Sequence, residues 1–194
     1  KIAKENKLKV FEDSAQSFGA QLNNKFSGTF SDAAGFSTNP MKPFNGYTES
    51  GFLVTNSKKI YERAKILRHA GTLSDYKKVI TNQCIEPSLN HKADSVGASL
   101  LLTSLSFFKN KMKIVNRYAK YYEKNLPNHV KFQKISKKEV HGRYVFAIII
   151  SQRDQLANFL KKKGIETKIF NLPLVYNTPF YKKYKKEKLP NAEK

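Results

Sequence analysis

In the first part of the chain, short apolar runs alternate with polar turns. The runs lie in the segments LKVFED, AAGFS and GFLVTN, and runs of this length are typical of buried strands. The next segment, SKKIYERAKILRHAG, has apolar residues at helical spacing, with Ser57 as a candidate N-cap and Gly71 as a stop signal. Strands that alternate with helices in this way predict an α/β layer with a largely parallel sheet.

The second half of the chain has a different pattern. Residues 72–91 are polar and irregular, which predicts a loop that reaches away from the core. From Ala93 to about Asn125 the apolar spacing is helical, and it fits one long helix or two helices with a break near Lys109. Pro127 predicts the end of this helical segment, because proline has no backbone N–H with which to continue it.

A compact α+β pattern follows the long helix. The segments HVKFQKI, RYVFAIIIS and IETKIF predict strands, and QRDQLANFLKKKG predicts a helix before the last of them. We therefore expect two domains. Residues 1–108 would be part of a larger α/β domain, and residues 109–194 would form a small C-terminal α+β domain, with the long helix joining the two.

The composition adds a strong positive charge to this picture. The chain of 194 residues has a net charge of +21, and only 5 of its 36 basic residues are arginine. Such a charge allows binding to nucleic acid or to another anionic surface. Arginine is the residue best suited to reading phosphates and bases, however, so its scarcity argues against a nucleic-acid partner. Part of the charge would instead serve metabolite phosphates.

The cysteine count and the apolar runs narrow the class further. The single cysteine, Cys84, excludes an intrachain disulfide and cannot form a thiolate zinc site alone, so we expect a reducing cytoplasm and no metal centre. No apolar run approaches the roughly 20 residues of a transmembrane helix, so we expect no membrane partner. The first residues also lack the basic-then-apolar pattern of a leader.

An acidic residue stands where an α/β sheet would bind a ligand. Asp13 closes the first predicted strand, and open α/β sheets bind ligands beyond the carboxyl ends of their strands. Gln16 follows three residues later and could turn back to the same crevice. The alternative is that Asp13 is only a helix cap or a turn residue.

One lysine lies in an unusually stiff loop. Ser37 precedes Lys42 by five residues, and Pro40 and Pro43 restrict the backbone on both sides of the lysine. An amine that attacks a carbonyl carbon must be held in a fixed geometry, whereas a solvated lysine needs no stiff loop. A chance lysine in such a loop is the alternative, because the chain contains 31 lysines.

Taken together, these residues resemble one known family. The segments FEDSAQ, SGTFSDAAGFS, NPMKP and YTESG are similar to the central block of the DegT/DnrJ/EryC1/StrS family of pyridoxal-phosphate sugar aminotransferases. RHAG, SLNHKADSVGASLL and KKKGIETKIFNLPLVYNTPFY resemble segments further along that family. The resemblance implies part of the large domain of a fold-type-I pyridoxal-phosphate transferase, with a mostly parallel sheet, followed by a small C-terminal α+β domain.

The same resemblance implies a role for each matching residue. Lys42 would form the internal Schiff base with pyridoxal 5′-phosphate and then move the proton during catalysis. Asp13 would pair with the protonated pyridine nitrogen, Gln16 would bind the ring 3-oxygen, and Ser37 would bind the phosphate. Asn90 would reach the phosphate that a second copy of the chain holds, so the active sites would be shared across a homodimer.

Several positions depart from the family pattern. The family usually has an aromatic residue or histidine at Asn39, an arginine at Lys92, a glutamine at Gly97 and a histidine at Val175. These departures concern the choice of sugar more than the binding of the cofactor. The role of Asn39 is the least expected, because it lies inside the loop of the reactive lysine.

Family members are also much longer than this chain. The half that would carry the aromatic residue stacking on the cofactor ring is absent, and KIAKENKL resembles the end of a helix without its beginning. We therefore expect the chain to be a fragment or the ordered part of a longer protein. We also expect this stretch alone to bind the cofactor poorly.

The resemblance implies a specific activity. It predicts transamination of a nucleotide-linked keto sugar, with glutamate as amino donor, in amino-sugar and polysaccharide biosynthesis. A relative with histidine in place of the lysine dehydrates its sugar, so Lys42 favours transamination here. The alternatives are a non-catalytic relative that binds pyridoxal phosphate or a sugar nucleotide, and a basic nucleic-acid-binding domain.

Overall fold

The structure is a computed structural model, and it describes residues 1–75, 77, 80–170, 173–184, 187 and 189–193. By its internal contacts the chain divides into two compact units, Lys1–Ile148 and Ile149–Lys194. The predicted boundary between residues 1–108 and 109–194 lies inside the long helix, whereas this division lies after that helix. The two domains with that boundary stay a prediction.

Helices and short strands alternate along the chain, in agreement with the predicted α/β class. The helices are α1 (Ile2–Glu5), α2 (Lys58–Arg68), α3 (Ser95–Asn125), α4 (Arg153–Lys162) and α5 (Pro190–Glu193), with 3-10 turns at Val175–Asn177 and Lys182–Tyr184. The strands are β1 (Phe11–Asp13), β2 (Gln21–Leu22), β3 (Lys25–Phe26), β4 (Ala33–Ser37), β5 (Gly51–Val54), β6 (Thr72–Asp75), β7 (Ile80–Cys84), β8 (Lys131–Phe132), β9 (Glu139–Val140) and β10 (Ile148–Ile149).

The three strands predicted first form one sheet, in the order β1-β4-β5. β1 runs parallel to β4, whereas β5 runs antiparallel to it. The described sheet is therefore mixed rather than largely parallel. β4 lies in the middle, and Ala33 and Ala34 are buried there because their small side chains leave room for layers on the sheet. Gly51 faces the carbonyl oxygen of Phe36, which would clash with a Cβ atom, so only glycine fits at this crossing.

A cluster of phenylalanines forms the core beside this sheet. Phe18 stacks on Phe44 with ring centroids 4.4 Å apart, and Phe36 stacks on Phe52 at 4.9 Å. Phe108 of α3 meets the edge of Phe18 at 4.9 Å. Aromatic rings of this size bury more apolar area than any other side chain, so the cluster joins the sheet to α3.

Both predicted helices of the first unit form with recognisable caps. The Ser57 hydroxyl accepts a hydrogen bond from the Ile60 N–H at 3.4 Å, which confirms the predicted N-cap of α2. α3 is one continuous helix of 31 residues, capped by the Asp94 carboxylate, and it ends before Pro127 as predicted. The alternative of two helices with a break near Lys109 is wrong.

Two hairpins replace segments that were predicted as loops. β6 and β7 pair antiparallel within residues 72–91, although Tyr76, Lys78 and Val79 of that span lie outside the described residues. The sequence did not reveal this ribbon because its side chains lack an alternating apolar pattern. The polar turn after β1 is also a hairpin of β2 and β3, and remote β9 pairs with β2.

The strands predicted after the long helix are short or absent. HVKFQKI and RYVFAIIIS form only the two-residue strands β8 and β10. Residues 165–170, all of which are described, form no strand, so the prediction for IETKIF is wrong. Most side chains of this stretch are exposed, so it lacks the burial that a β-branched run needs to be stabilised as a strand.

Candidate active site

The carboxyl ends of β1 and β4 lie side by side, and we call this region the β1–β4 edge. Asp13 pairs in register with Gly35, and Ser37 follows two residues later on the same strand. The parallel pairing therefore brings Asp13 and Ser37 to one edge, as the sequence predicts for a ligand crevice. The Asp13 carboxylate is exposed and accepts a hydrogen bond from the Ala15 N–H at 3.1 Å.

A buried serine and a half-buried glutamate fix the end of β1. Ser14 is fully buried, its backbone N–H bonds the Gly35 carbonyl at 2.9 Å, and its hydroxyl donates to Glu12 Oε1 at 2.9 Å. The same Glu12 oxygen accepts the Gly28 N–H at 2.7 Å. The chain then turns through Ala15 and Gln16, which leaves the Gln16 amide exposed just beyond the edge. The spacing of three residues thus places Asp13 and Gln16 in one short turn.

The loop that carries the candidate lysine joins β4 to β5, and we call residues 38–50 the Lys42 loop. Its base is closed by Thr38, which is fully buried and whose hydroxyl lies 2.6 Å from the Ser50 hydroxyl. The Thr38 N–H also donates to the Ser50 carbonyl at 2.9 Å. Ser37 stands just before this closure, and its Oγ accepts the Asn39 N–H at 3.3 Å.

Asn39, the least expected residue of the pattern, organises the turn before the lysine. Its side-chain oxygen accepts the Met41 N–H at 2.8 Å, and its backbone oxygen accepts the Lys42 N–H at 2.9 Å. Its side-chain nitrogen donates to the Glu49 carboxylate on the opposite side of the loop. Asparagine is suited to such turns because its amide can replace a backbone partner. The departure from the family pattern therefore has a structural role in this loop.

The residues after the lysine anchor the loop to the core. Phe44 is 5% exposed and belongs to the aromatic cluster, where it stacks on Phe18. The Lys111 ammonium of α3 donates to the Pro43 carbonyl at 2.9 Å and to Asn45 Oδ1 at 2.7 Å. Burial lowers the pKa of Lys111 below its ordinary value.

A second side chain of α3 also holds this loop. The Ser104 hydroxyl donates a hydrogen bond to the Asn45 carbonyl at 2.9 Å. Lys42 is thus held between a capped turn and a buried anchor.

The Lys42 side chain is half-buried and lies over an aromatic ring. Its Nζ stands 5.3 Å from the centroid of the Tyr144 ring, a contact between residues that are far apart in the sequence. Sequence reasoning did not find Tyr144, because neither spacing nor a motif connects it to the lysine. The same is true of Lys111, whose position on α3 only the fold relates to the loop.

Asn90 lies in the segment that follows the β6–β7 ribbon. It is exposed and forms an isolated antiparallel bridge with His69 at the end of α2. Its side-chain oxygen accepts the Lys92 N–H at 3.2 Å. The strand register therefore places Asp13 and Ser37 at the β1–β4 edge, with Gln16 in the turn after β1 and Lys42 in the loop after β4, whereas Asn90 lies beside the end of α2.

Two further residues depart from the family pattern, and the structure explains only the first of them. A Cβ atom on Gly97 would lie 2.8 Å from the Asp94 carboxylate and 2.9 Å from the Thr48 hydroxyl, so glycine lets the Lys42 loop approach the start of α3. Val175 is exposed in a 3-10 turn, and nothing in the structure explains its presence there.

Neither a metal site nor a membrane span is found among the described residues. No three histidine, cysteine, aspartate or glutamate side chains in this part of the chain come close enough to hold a metal ion. Within the same described part, no helix combines the length and the apolar content that crossing a bilayer requires.

Comparison with known proteins gives one consistent result. The model of the DegT/DnrJ/EryC1/StrS aminotransferase family matches residues 1–194. The chain is 31% identical to the pleiotropic regulatory protein of Geobacillus stearothermophilus, over all of this chain and 52% of that protein. It is 27% identical to the dTDP-3-amino-3,6-dideoxy-α-D-galactopyranose transaminase of Aneurinibacillus thermoaerophilus, over 99% of this chain and 52% of that enzyme.

Solved structures agree with the family match. The crystal structure of a DegT DnrJ EryC1 StrS aminotransferase from Brucella abortus superposes with a TM-score of 0.84 at 25% identity, over 93% of this chain and 47% of that one. The chain thus spans about half the length of the curated relatives that it matches.

Proposed function

This chain belongs to the DegT/DnrJ/EryC1/StrS aminotransferase family, and from that premise we propose that the whole protein transfers an amino group from glutamate to a nucleotide-linked keto sugar. The product would be an amino sugar for a polysaccharide or another glycan. The observation that carries the proposal is the Lys42 loop, which follows β4 directly and whose backbone is restrained on both sides of one half-buried lysine. The Aneurinibacillus relative, named as a sugar-nucleotide transaminase, supports the substrate class.

The side chains at this edge fit pyridoxal 5′-phosphate by their chemistry. The cofactor presents a basic ring nitrogen, a ring oxygen, a phosphate and an aldehyde, and the edge presents a carboxylate, an amide, a hydroxyl and an amine. When bound, the cofactor would supply a carbonyl that an amine can attack and a ring that withdraws electrons. Asp13 would hold a proton on the ring nitrogen, Gln16 would donate to the ring oxygen, and Ser37 would donate to the phosphate.

Lys42 would be the catalytic amine. Its amine would hold the cofactor through the aldehyde carbon, with release of the aldehyde oxygen as water, and would later take up and return the proton that moves during amino transfer. Such a group must stay within a small range of positions, because a displacement of about 1 Å can lower a rate about a hundredfold. The capped turn at Asn39 and the buried anchor at Phe44 restrict the backbone in this way.

Asn90 would act in a second copy of the chain. It is exposed and lies beside the end of α2, and such exposure suits a residue that reaches a neighbouring site. We propose a homodimer in which Asn90 of one copy binds the cofactor phosphate of the other.

Cofactor trapping tests the proposal. The whole protein is loaded with pyridoxal phosphate, reduced with borohydride and mapped by peptide mass spectrometry, and amino transfer from glutamate to a nucleotide-linked keto sugar is measured in parallel. We expect the label on Lys42 and the loss of both label and turnover in Lys42→Ala. Lys65→Ala, which removes an exposed lysine, is the matched control and should keep both. Turnover that survives Lys42→Ala would overturn the proposal.

A second candidate function is regulation without catalysis. It is supported by the Geobacillus relative, which is named as a pleiotropic regulatory protein. Under this alternative, Lys42→Ala would leave the cellular phenotype of the protein unchanged, whereas an aminotransferase would lose its product. Comparing a deletion strain complemented with either variant separates the two.

A further inference from the structure

Lys42 contacts Tyr144, a residue outside the segments whose motifs resemble the family. The lysine Nζ lies 5.3 Å from the ring centroid. This distance is within the range of about 6 Å in which an ammonium is attracted to the negative face of an aromatic ring. Tyr144 is itself half-buried, so the contact is partly screened from water.

The backbone before Tyr144 adopts an unusual conformation. Arg143 has a φ of 52°, in the left-handed region that residues other than glycine seldom occupy. Such a conformation costs free energy and persists only where its surroundings impose it. Gly142 before it is buried, and a Cβ there would lie 3.5 Å from the Ala20 Cβ, so the segment packs directly on the chain that follows β1.

The Arg143 side chain supplies that constraint. It is only 8% exposed, and its guanidinium lies 3.0 Å from the Glu123 carboxylate and donates to Asn116 Oδ1 at 3.1 Å. Both partners belong to α3. A planar guanidinium held by one hydrogen bond and one ion pair restrains its own backbone, since its fork of donors fits in few orientations.

His141 restrains the same segment from the other side. Its Nδ1 accepts the Arg143 N–H at 2.8 Å, and its Nε2 therefore carries the proton and donates to Gln133 Oε1 at 3.0 Å. Burial and the neighbouring Arg143 charge lower the pKa of His141, which favours the neutral ring that can accept that bond.

We propose that Tyr144 is a positioning residue for Lys42, whose aromatic face holds the lysine amine in place near the β1–β4 edge. A lysine side chain has four rotatable bonds, and the Lys42 loop restrains only its backbone. The ring restrains the other end of the side chain. The role rests on the proposed function only in taking Lys42 as the reactive amine.

Fluorinated phenylalanines at position 144 test this role without changing the shape of the core. Each fluorine withdraws electrons from the ring and weakens its negative face, while the volume stays nearly the same. The whole protein without cofactor is treated with formaldehyde and cyanoborohydride, and the methylation rate of Lys42 is read by peptide mass spectrometry. We expect Tyr144→Phe to keep the wild-type rate. Increasing fluorination should raise the rate stepwise to about two- to fivefold, because the amine is released from the ring.

The chain offers a matched control. Lys65 Nζ lies 5.3 Å from the Tyr61 ring on the surface of α2, and its rate should respond to the same analogues at position 61 but not at position 144. A rate at Lys42 that stays flat across the fluorinated series would overturn the proposal, as would an equal rise in Tyr144→Phe. Because the assay uses no cofactor, a graded response without borohydride trapping at Lys42 would refute the proposed function and leave the contact intact.

Discussion

The Lys42 loop and the segment that carries Asn90 are both predicted to serve the same site, yet the chain holds them very differently. The Lys42 loop buries Phe44 in the aromatic core and takes three side-chain hydrogen bonds from α3. The Asn90 segment, residues 85–92, exposes its apolar side chains, and Leu89 is 73% exposed. Its ties are an ion pair between Glu86 and Arg63 and bonds to the end of α2.

This contrast follows the chemistry proposed for each segment. A reactive amine needs a fixed geometry, and the chain provides it from its own core. A residue that would bind the phosphate of a second copy needs exposure instead. Precise positioning in the first segment and exposure in the second are therefore both consistent with one shared active site.

The strongest test of the contrast is the removal of the anchor. Phe44→Ala should lower the free energy of unfolding by about 3–5 kcal/mol, because a buried ring leaves a cavity in a close-packed cluster. Denaturant unfolding of the whole protein measures this, and methylation of Lys42 should rise as the loop loosens. Tyr47→Ala is the control, since Tyr47 lies in the same loop but is 73% exposed. Equal losses in the two variants would show that the loop is not anchored through Phe44.

A smaller effect is expected at the turn. Asn39→Ala removes the bonds to the Met41 N–H and to Glu49, and should cost about 1–2 kcal/mol, since each such bond contributes roughly 0.5–1.5 kcal/mol. Trapping of the cofactor at Lys42 should slow. Asn39→Asp keeps the acceptor for Met41 but loses the donor to Glu49, so it should recover part of the trapping rate. An alanine variant with unchanged trapping would contradict the role of Asn39.

The smallest effect is expected in the Asn90 segment. Leu89→Ser should change the free energy of unfolding by less than about 0.5 kcal/mol, because an exposed side chain has little burial to lose. The measurement is again denaturant unfolding, at low protein concentration so that association does not contribute. A loss comparable to that of Phe44→Ala would mean that the segment is held as firmly as the Lys42 loop, and the comparison would fail.

Local pattern and spacing accounted for the central part of the fold. The strands AAGFS and GFLVTN were both predicted. AAGFS buries Ala33, Ala34 and Phe36, and GFLVTN pairs with it while Phe52 and Val54 are half-buried. The β2–β3 hairpin was missed because each strand has only two residues. The sequence did carry one local signal for this hairpin, the consecutive asparagines Asn23 and Asn24. Asparagine is favoured in two-residue hairpin turns because it tolerates positive φ, and both residues have positive φ in the structure. β9 could not be predicted as a partner of β2, since that pairing depends on the tertiary fold.

The candidate site divides along the same line. Asp13, Gln16, Ser37 and Lys42 were proposed from their spacing. The strand pairing explains why Asp13 and Ser37 lie at one edge, and Gln16 and Lys42 lie in the turn and the loop that follow these two strands. Their roles toward a cofactor stay predictions. Tyr144 left no trace in the sequence, because its approach to Lys42 requires the left-handed backbone at Arg143 and two partners on α3. Contacts between remote segments have no periodic pattern that sequence reasoning could detect.

The long helix has a mechanical consequence for the proposed site. Ser104 and Lys111, which hold the Lys42 loop, are seven residues apart, and so are Asn116 and Glu123, which hold Arg143. Seven residues are about two turns, so each pair lies on one side of α3. The loop of Lys42 and the segment of Tyr144 are thus both bonded to the same helix, α3. A small shift of α3 along its axis would move the Lys42 loop and the segment of Tyr144 in the same direction. The distance between the Lys42 amine and the Tyr144 ring would then be preserved.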